Sequence, residues 1–349
     1  MELRFGLDTF GDIQIDEYGQ PLSAAQTIRN VVEEAELADS LGLNNFNVGE
    51  HHRDDFAVTA PDSVLAGIAT RTKQITLGSG VTVLSSDDPV RVYQRFATVD
   101  ALSNGRAEIT AGRGSFIESF PLFGYDLSQY QILFEEKLEL LVELLSEHPV
   151  TWQGQTRAAL VNQQVYPKTE RGRIPLRVGV GGTPESVVRA ARLDLSLALA
   201  IIGGDPARFA PFARLYRESL EEFGHQQHPI SIHSPGFVAE SDEAAIEAHW
   251  PKHQAMFGRI GRERGWAPIT KESYLHEVQY GSLYVGSPET VAKKITHAIS
   301  SVGANRFDFK YANGMQTHSS LMKCIELYAT KVVPMVKEML ASTAFANQS

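Results

Sequence analysis

Apolar positions along this chain recur at two alternating spacings, period two over short runs and period 3.6 over longer ones. Leu3 to Asp8 reads as an opening strand. From Ser23 to Leu41, Ile28, Val31, Val32, Ala35 and Ala38 fall on one helical face. Ser23 and Gln26 fit a capping box at its start, each side chain able to satisfy the other's free backbone N–H. The alternation continues with a strand over Asn45 to Val48, a helix over Ala60 to Thr72 opened by Pro61, a strand over Ile75 to Leu84 and a helix over Pro89 to Leu102. Ala107 to Ala111 predicts the fourth strand, and Phe134 to Leu145 lies in the fourth helix. Strands five to eight fall at Leu176 to Val180, Leu195 to Ile202, Ile230 to Val238 and Phe307 to Tyr311. Their helices fall at Pro184 to Arg192, Ala207 to Phe223, Pro288 to Ser300 and Ser319 to Leu340.

Strand–helix units repeated in this way predict an α/β fold, a closed (β/α)8 TIM barrel rather than an open doubly wound sheet. Residues 1–342 read as a single domain and 343–349 as a flexible tail. The stretch 241–286, between strand seven and helix seven, is too long for a plain connection. Its helical character, with Trp250, Phe257 and Trp266, suggests an insertion or lid at the barrel mouth. In such a barrel, functional residues belong at the C-terminal ends of the strands.

Composition narrows the chemistry. Thirty-two basic residues against forty-two acidic ones give a formal charge of −10. No basic footprint for nucleic acid exists, although a small pocket for one phosphate remains open. Cys324 is the sole cysteine, so no intramolecular disulfide forms, and its apolar-periodic surroundings predict a buried thiol. Neither a signal-peptide pattern nor an apolar run long enough to span a bilayer is present, so the cytoplasm is the expected location.

Four constellations fall near predicted strand ends. Glu50-His51-His52 follows strand two, where a histidine can serve as general acid or base. A solvated histidine pair is the blander reading, and the extended backbone sends the two rings to opposite sides, against a shared metal. Gly181-Gly182-Thr183-Pro184-Glu185-Ser186 joins strand five to its helix. Pro184 suits the first helical position and Thr183 the N-cap. Such a turn can cradle an anion, or simply be a well-capped helix. It is neither a phosphate loop with Lys-Ser or Lys-Thr nor a dinucleotide fingerprint. Gly78-Ser79-Gly80-Val81 places glycines inside strand three, which marks a bulge or a close approach. Arg113, between Gly112 and Gly114, could reach an anion or a loop carboxylate. His225, His228 and His233 read as an exposed group in a polar turn.

The order of these motifs resembles the luciferase-like flavin monooxygenases over nearly the whole chain. The likeness is carried by Glu50-His51-His52, the run from Gly78 to Pro89-Val90-Arg91, Leu102-Ser103-Asn104-Gly105-Arg106, Gly112-Arg113-Gly114, Gly181 to Ser186, and Val285-Gly286-Ser287-Pro288-Glu289. The resemblance implies that His51 is the active-site histidine and that Gly80–Val81 is a non-proline cis peptide under the flavin ring. It implies that Arg113, Gly182, Thr183 and Ser186 hold the phosphate of FMN. It further implies a homodimer that uses O2 and reduced FMN from a separate NAD(P)H:flavin reductase to oxygenate a small organic substrate. A deazaflavin-dependent hydride-transfer enzyme and a non-catalytic flavin-binding protein are the other readings. The chain departs from the family pattern at Gly112, where luciferase has a cysteine, at Leu193-Asp194-Leu195-Ser196, and at Lys310.

Overall fold

The structure, a computed structural model, describes residues 2–114 and 116–346. Eight parallel strands form the barrel: β1 (Arg4–Thr9), β2 (Asn45–Val48), β3 (Thr76–Ser79), β4 (Ala107–Gly112), β5 (Leu176–Val180), β6 (Ser196–Ala200), β7 (Ile230–Val238) and β8 (Arg306–Lys310). Each pairs with the next in chain order, and β8 closes on β1 in a register running from Arg4↔Arg306 to Asp8↔Lys310. The flanking helices are α1 (Ala24–Ser40), α2 (Pro61–Ala69), α3 (Pro89–Ser103), α4 (Tyr130–Leu145), α5 (Pro184–Arg192), α6 (Ala210–Glu222), α7 (Pro288–Val302) and α8 (His318–Leu327).

Strand parity divides the core into two chemistries. Phe5, Leu7, Phe46, Leu77, Ile109, Val178, Leu197, Ile232, Phe307 and Phe309 are buried in the apolar layer shared with the helices. The alternate positions carry polar groups, glycine or, on β6, alanine, and face the lumen. There Arg306 Nη1 reaches Glu108 Oε1 on the far side of the barrel at 2.8 Å, and its Nε donates to Asp308 at 2.9 Å. Arg177 pairs with Glu108 at 2.9 Å and with Asp308 at 3.4 Å, and donates to Ser231 at 2.8 Å. Asn45 donates to Asp308. Glycines make this filling possible: a Cβ on Gly6 would lie 1.7 Å from Asn45 Nδ2, and one on Gly78 2.4 Å from Asn47 Oδ1.

Burial alone would raise both lumen carboxyls. The guanidiniums of Arg306 and Arg177 outweigh it, holding Asp308 down to about 2 and Glu108 below its ordinary value. Both carboxylates are therefore charged and matched by two cations.

Several boundaries differ from the sequence reading. The third strand breaks after Ser79: Gly80–Val81 is cis, and pairing resumes at Thr82–Val83 against Ala111 and Gly112. α4, which runs from Tyr130 to Leu145, does contain Phe134 to Leu145 as expected. An antiparallel hairpin, Val150–Trp152 with Leu160–Gln163, precedes β5 and lies outside the elements the periodicity predicts. The long stretch after β7 contains helices Asp242–Arg264 and Lys271–Tyr280, then a short strand, Tyr284–Gly286, that pairs with the end of β7. Gly236 allows this pairing, since a Cβ there would lie 2.2 Å from Tyr284 O. The last helix runs from Val333 to Ala346, past residue 343, where the tail was expected to start. Cys324 is buried as expected, and burial pushes its thiol up to about 12. No described helix is long and apolar enough to cross a membrane.

The lumen network predicts an asymmetric response to charge removal. Arg306→Met leaves two buried carboxylates with one cation and should destabilise the fold by about 3–5 kcal/mol. Arg192→Met, which breaks the half-exposed pair with Glu139, should cost less than about 1 kcal/mol. Denaturant melts of the two variants test this, and a parental midpoint for Arg306→Met would show the network to be dispensable.

Candidate active site

At the barrel mouth the chain leaves β2 as Gly49-Glu50-His51. Gly49 lets this segment lie against the β3 end, where a Cβ would come 2.4 Å from Gly80 O and 2.5 Å from the Phe10 ring. Gly80 N donates to Val48 O at 3.0 Å, and Val83 N donates to Glu50 Oε1 at 2.8 Å. Glu50 also meets His52 Nε2 at 3.2 Å. Glu50 therefore anchors the chain after the cis peptide, a task its place in the sequence motif did not reveal.

His51 is buried among three aromatic rings, with centroid distances of 4.5 Å to Phe10, 4.6 Å to Phe56 and 4.5 Å to Phe116. Its ring makes no hydrogen bond among the described residues. Burial above all, then the positive charges of Lys310 and Arg53, pushes its pKa down to about 3. A free histidine titrates near neutrality, whereas in this cage the ring is neutral at physiological pH.

Beside the cage, Gly80 and Val81 lie on the site floor. Val81 fills the space left by two glycines: a Cβ on Gly112 would lie 2.6 Å, and one on Gly179 3.1 Å, from its methyls. Gly80 packs over Asp8, whose Oδ2 would be 2.3 Å from a Cβ there. Lys310, flagged in the sequence as unusual, is buried with Nζ 3.0 Å from Asp12 Oδ2 and 4.7 Å from the Phe10 ring centroid. Asp12 also accepts from Gly314 N at 2.9 Å, so this pair ties the β8 end to the β1 loop.

The histidine group assigned to a polar turn is split. His225 and His228 do flank an exposed carboxylate, Asp194, at 3.7 and 2.5 Å. His233 instead lies within β7, its Nδ1 3.2 Å from Asp8 Oδ2. Strand parity could have found it, because His233 shares the face of Ser231 and alternates with the core residues Ile230 and Ile232.

The turn after β5 forms a cup. Gly182 has φ +109°, a conformation that suits glycine. Thr183 is the N-cap residue of α5 and Pro184 its first helical residue, as the sequence suggested. The Thr183 hydroxyl does not cap the backbone; it donates to the buried Ser186 Oγ at 2.7 Å. Arg113 joins this side of the mouth through a relay. Its Nη1 donates to Gln131 at 3.2 Å, Gln131 donates to Glu135 at 2.5 Å, and Glu135 also accepts from Arg189 of α5. The Arg113 guanidinium lies over the Tyr130 ring, and Arg189 keeps one buried nitrogen without a partner. The structure thus brings Thr183 and Ser186 into contact and links Arg113 to their helix, while His51 lies apart in its cage. Ser115 lies outside the described residues.

Charged groups close the excursion after β7 over the cage. Arg53, two residues beyond His51, pairs with Asp55 at 2.9 Å, Glu118 at 3.1 Å and Glu263 at 2.5 Å, the last near the end of the helix Asp242–Arg264.

A closed parallel barrel with a glycine-containing turn before α5 and an aromatic-caged histidine after β2 has counterparts among known proteins. The family model described as luciferase-like monooxygenase matches residues 4–306, and the chain belongs to that family. It is an enzyme that incorporates molecular oxygen. The N-acetyl-S-alkylcysteine monooxygenase of Bacillus subtilis is 29% identical over 83% of this chain and 88% of that protein. A monooxygenase of Streptomyces bottropensis shares the fold with a TM-score of 0.81 at 22% identity, over 95% of this chain and 99% of that one. The oxygenating constituent of 3,6-diketocamphane monooxygenase from Pseudomonas putida, solved with FMN, gives 0.75 at 18% identity over 96% and 98%. An F420-dependent secondary alcohol dehydrogenase gives 0.73 at 18% identity over 96% and 99%.

The cage makes stability sensitive to acid. Folded His51 stays neutral while the unfolded chain binds a proton below about 6.5. Its contribution is therefore present above 6.5 and declines as pH falls toward 3. His253, lowered by burial to about 4, and the buried His249 act in the same direction. Urea midpoints should fall between pH 7.5 and pH 5, and His51→Phe should reduce that fall. An imidazole of His51 titrating near 6.5 by NMR would contradict the cage electrostatics.

Proposed function

We propose that this chain is an FMN-dependent monooxygenase that receives FMN reduced by a separate NAD(P)H:flavin reductase and oxygenates a small organic substrate. The observation that carries this reading is the division of the mouth into an anion-binding end and a neutral, apolar end. At the first, the Glu185 N–H in the opening turn of α5 and the Ser186 hydroxyl offer donors to a phosphate, beside the open position at Gly181. Arg113, the residue after β4, adds a charge-assisted donor. The residues fit a flavin phosphate: Gly181 has open space where a Cβ would stand, and the neighbouring Arg189 nitrogen is unpartnered.

When bound, reduced FMN supplies the electrons for oxygen activation. The protein's part is to hold and shield. Gly80 and Val81 supply a flat floor with Gly112 beneath. Phe10, Phe56 and Phe116 keep water from the reacting centre. His51, neutral in that cage, offers one ring N–H and one lone pair without introducing charge.

The relative that acts on N-acetyl-S-alkylcysteine makes thioethers the first substrate class to examine, beside aldehydes and ketones. We place the enzyme in the cytoplasm, as a homodimer. The F420-dependent fold relative defines the competing outcome, hydride transfer with a deazaflavin and no oxygen uptake. Titrating FMN and F420 separately into the purified protein, then measuring oxygen uptake with reductase-generated FMNH2 across those substrates, distinguishes the two.

The cup yields a graded set of binding effects. Gly182→Val places a branched side chain at positive φ and 3.4 Å from Phe209; it should abolish FMN binding with the barrel still folded. Ser186→Ala should weaken binding by about 1 kcal/mol. Arg113→Ala should weaken FMN by about 1.5–3 kcal/mol and riboflavin, which lacks the phosphate, much less. Fluorescence-quenching titrations with circular-dichroism melts as folding controls measure all three. Undiminished FMN binding by a folded Gly182→Val protein would place the phosphate elsewhere.

A further inference from the structure

His51, held neutral in its cage, is a weak base, and its ring makes no hydrogen bond among the described residues. The upper lumen holds another histidine. Asp8 on β1 and His233 on β7 reach across the intervening β8, with Oδ2 3.2 Å from Nδ1. Asp8 is buried directly beneath Gly80. His233 is half-buried, unlike its lumen neighbours Asp308 and Ser231. The Phe10 ring links the two histidines, its centroid 6.2 Å from that of His233 and 4.5 Å from that of His51. His233 therefore lies at the floor of the same mouth, one ring away from the cage.

We propose that His233, oriented by Asp8, is the proton-handling residue of this active site, with Asp8 as its positioning residue. The assignment rests on the oxygenase reading above. A carboxylate against Nδ1 fixes the proton on that nitrogen and leaves the lone pair on Nε2, which has no partner among the described residues. Nε2 takes a proton from an acidic group above the floor, while the Nδ1–H bond to Asp8 persists. The resulting imidazolium is balanced by the Asp8 carboxylate, and the proton passes to water at the small exposed part of the ring. The reverse sequence delivers a proton. A histidine serving only to fill the lumen would be enclosed like Arg306, with its polar atoms spent on neighbours.

Imidazole 15N NMR on the full-length, histidine-labelled protein tests the geometry, with His233→Gln assigning the signal. The parent should carry its proton on Nδ1. In Asp8→Asn the amide can donate to Nδ1, which should move the proton to Nε2. Added FMN should shift the His233 signals and leave those of His225 and His228 in place. In turnover, Asp8→Asn and His233→Gln should each lower kcat by about 10²-fold or more, and the double variant no further, with FMN affinity and KM within about threefold. A parent protonated on Nε2, or parental kcat in both variants, overturns the assignment. Should Asp8→Asn fail to fold, the parent spectrum and His233→Gln decide. Failure of the parent to bind FMN or take up oxygen instead defeats the oxygenase reading, a result separate from the tautomer.

Discussion

Two arginines and two carboxylates meet inside the barrel, and their mutual pairing constrains how the strands can be arranged. Glu108 on β4 receives Arg177 from β5 and Arg306 from β8, so one carboxylate links strands on opposite sides of the lumen. A single-residue slip of any of these strands would turn its charged side chain out into the apolar helix layer. Burial of isolated charges is strongly unfavourable, so only the register that pairs all four is compatible with a folded barrel. The network is thus a specificity device as well as a stabilising one, set in the place where many barrels stack aliphatic side chains.

Filling the lower lumen with charge has consequences for the mouth. Long side chains there require space, which glycines at positions 6 and 78 supply. Higher up, glycines at 80, 112 and 179 open room around Val81 and over Asp8. The result is a floor that is narrow in side chains and flat in backbone. On it, three charge environments stand side by side: the donors of the cup, the uncharged cage of His51, and the Asp8–His233 pair. Lys310 belongs to none of them as a free cation, because Asp12 and the Ala312 carbonyl occupy it. Its field nevertheless helps keep the His51 ring neutral.

The excursion after β7 shows how a connection can be integrated into a site. Its returning strand pairs with the end of β7, and its first helix is tied through Glu263 to Arg53, just beyond His51. The cage, the excursion and the β2 loop therefore share ion pairs that are partly exposed. Such pairs are individually weak and sensitive to salt, which allows this side of the mouth to be more adaptable than the lumen beneath it.

Much of this was legible in the chain because it depends on local rules. Periodicity located the eight barrel strands and their helices, since a two-sided sheet needs apolar residues on the helix-facing positions. Thr183 and Pro184 announced the start of α5 because capping and a preset φ are local properties. Glu50-His51-His52 and Gly112-Arg113-Gly114 could be placed at strand ends for the same reason. What the sequence left open was every property that depends on what lies across the barrel. The neutrality of His51 comes from the nearby Phe56 together with Phe10, Phe116 and the charge of Lys310, the last three remote in sequence. His233 looked like part of a polar turn until Asp8, 225 positions earlier, was set against it. The arginines of the lumen carry no local mark of burial, because a charge is tolerable inside a protein only through partners that closure of the barrel brings to it. Local propensity determined the elements and the capped turn before α5; proximity and desolvation, which exist only in the closed barrel, decided which side chains are charged and which are paired.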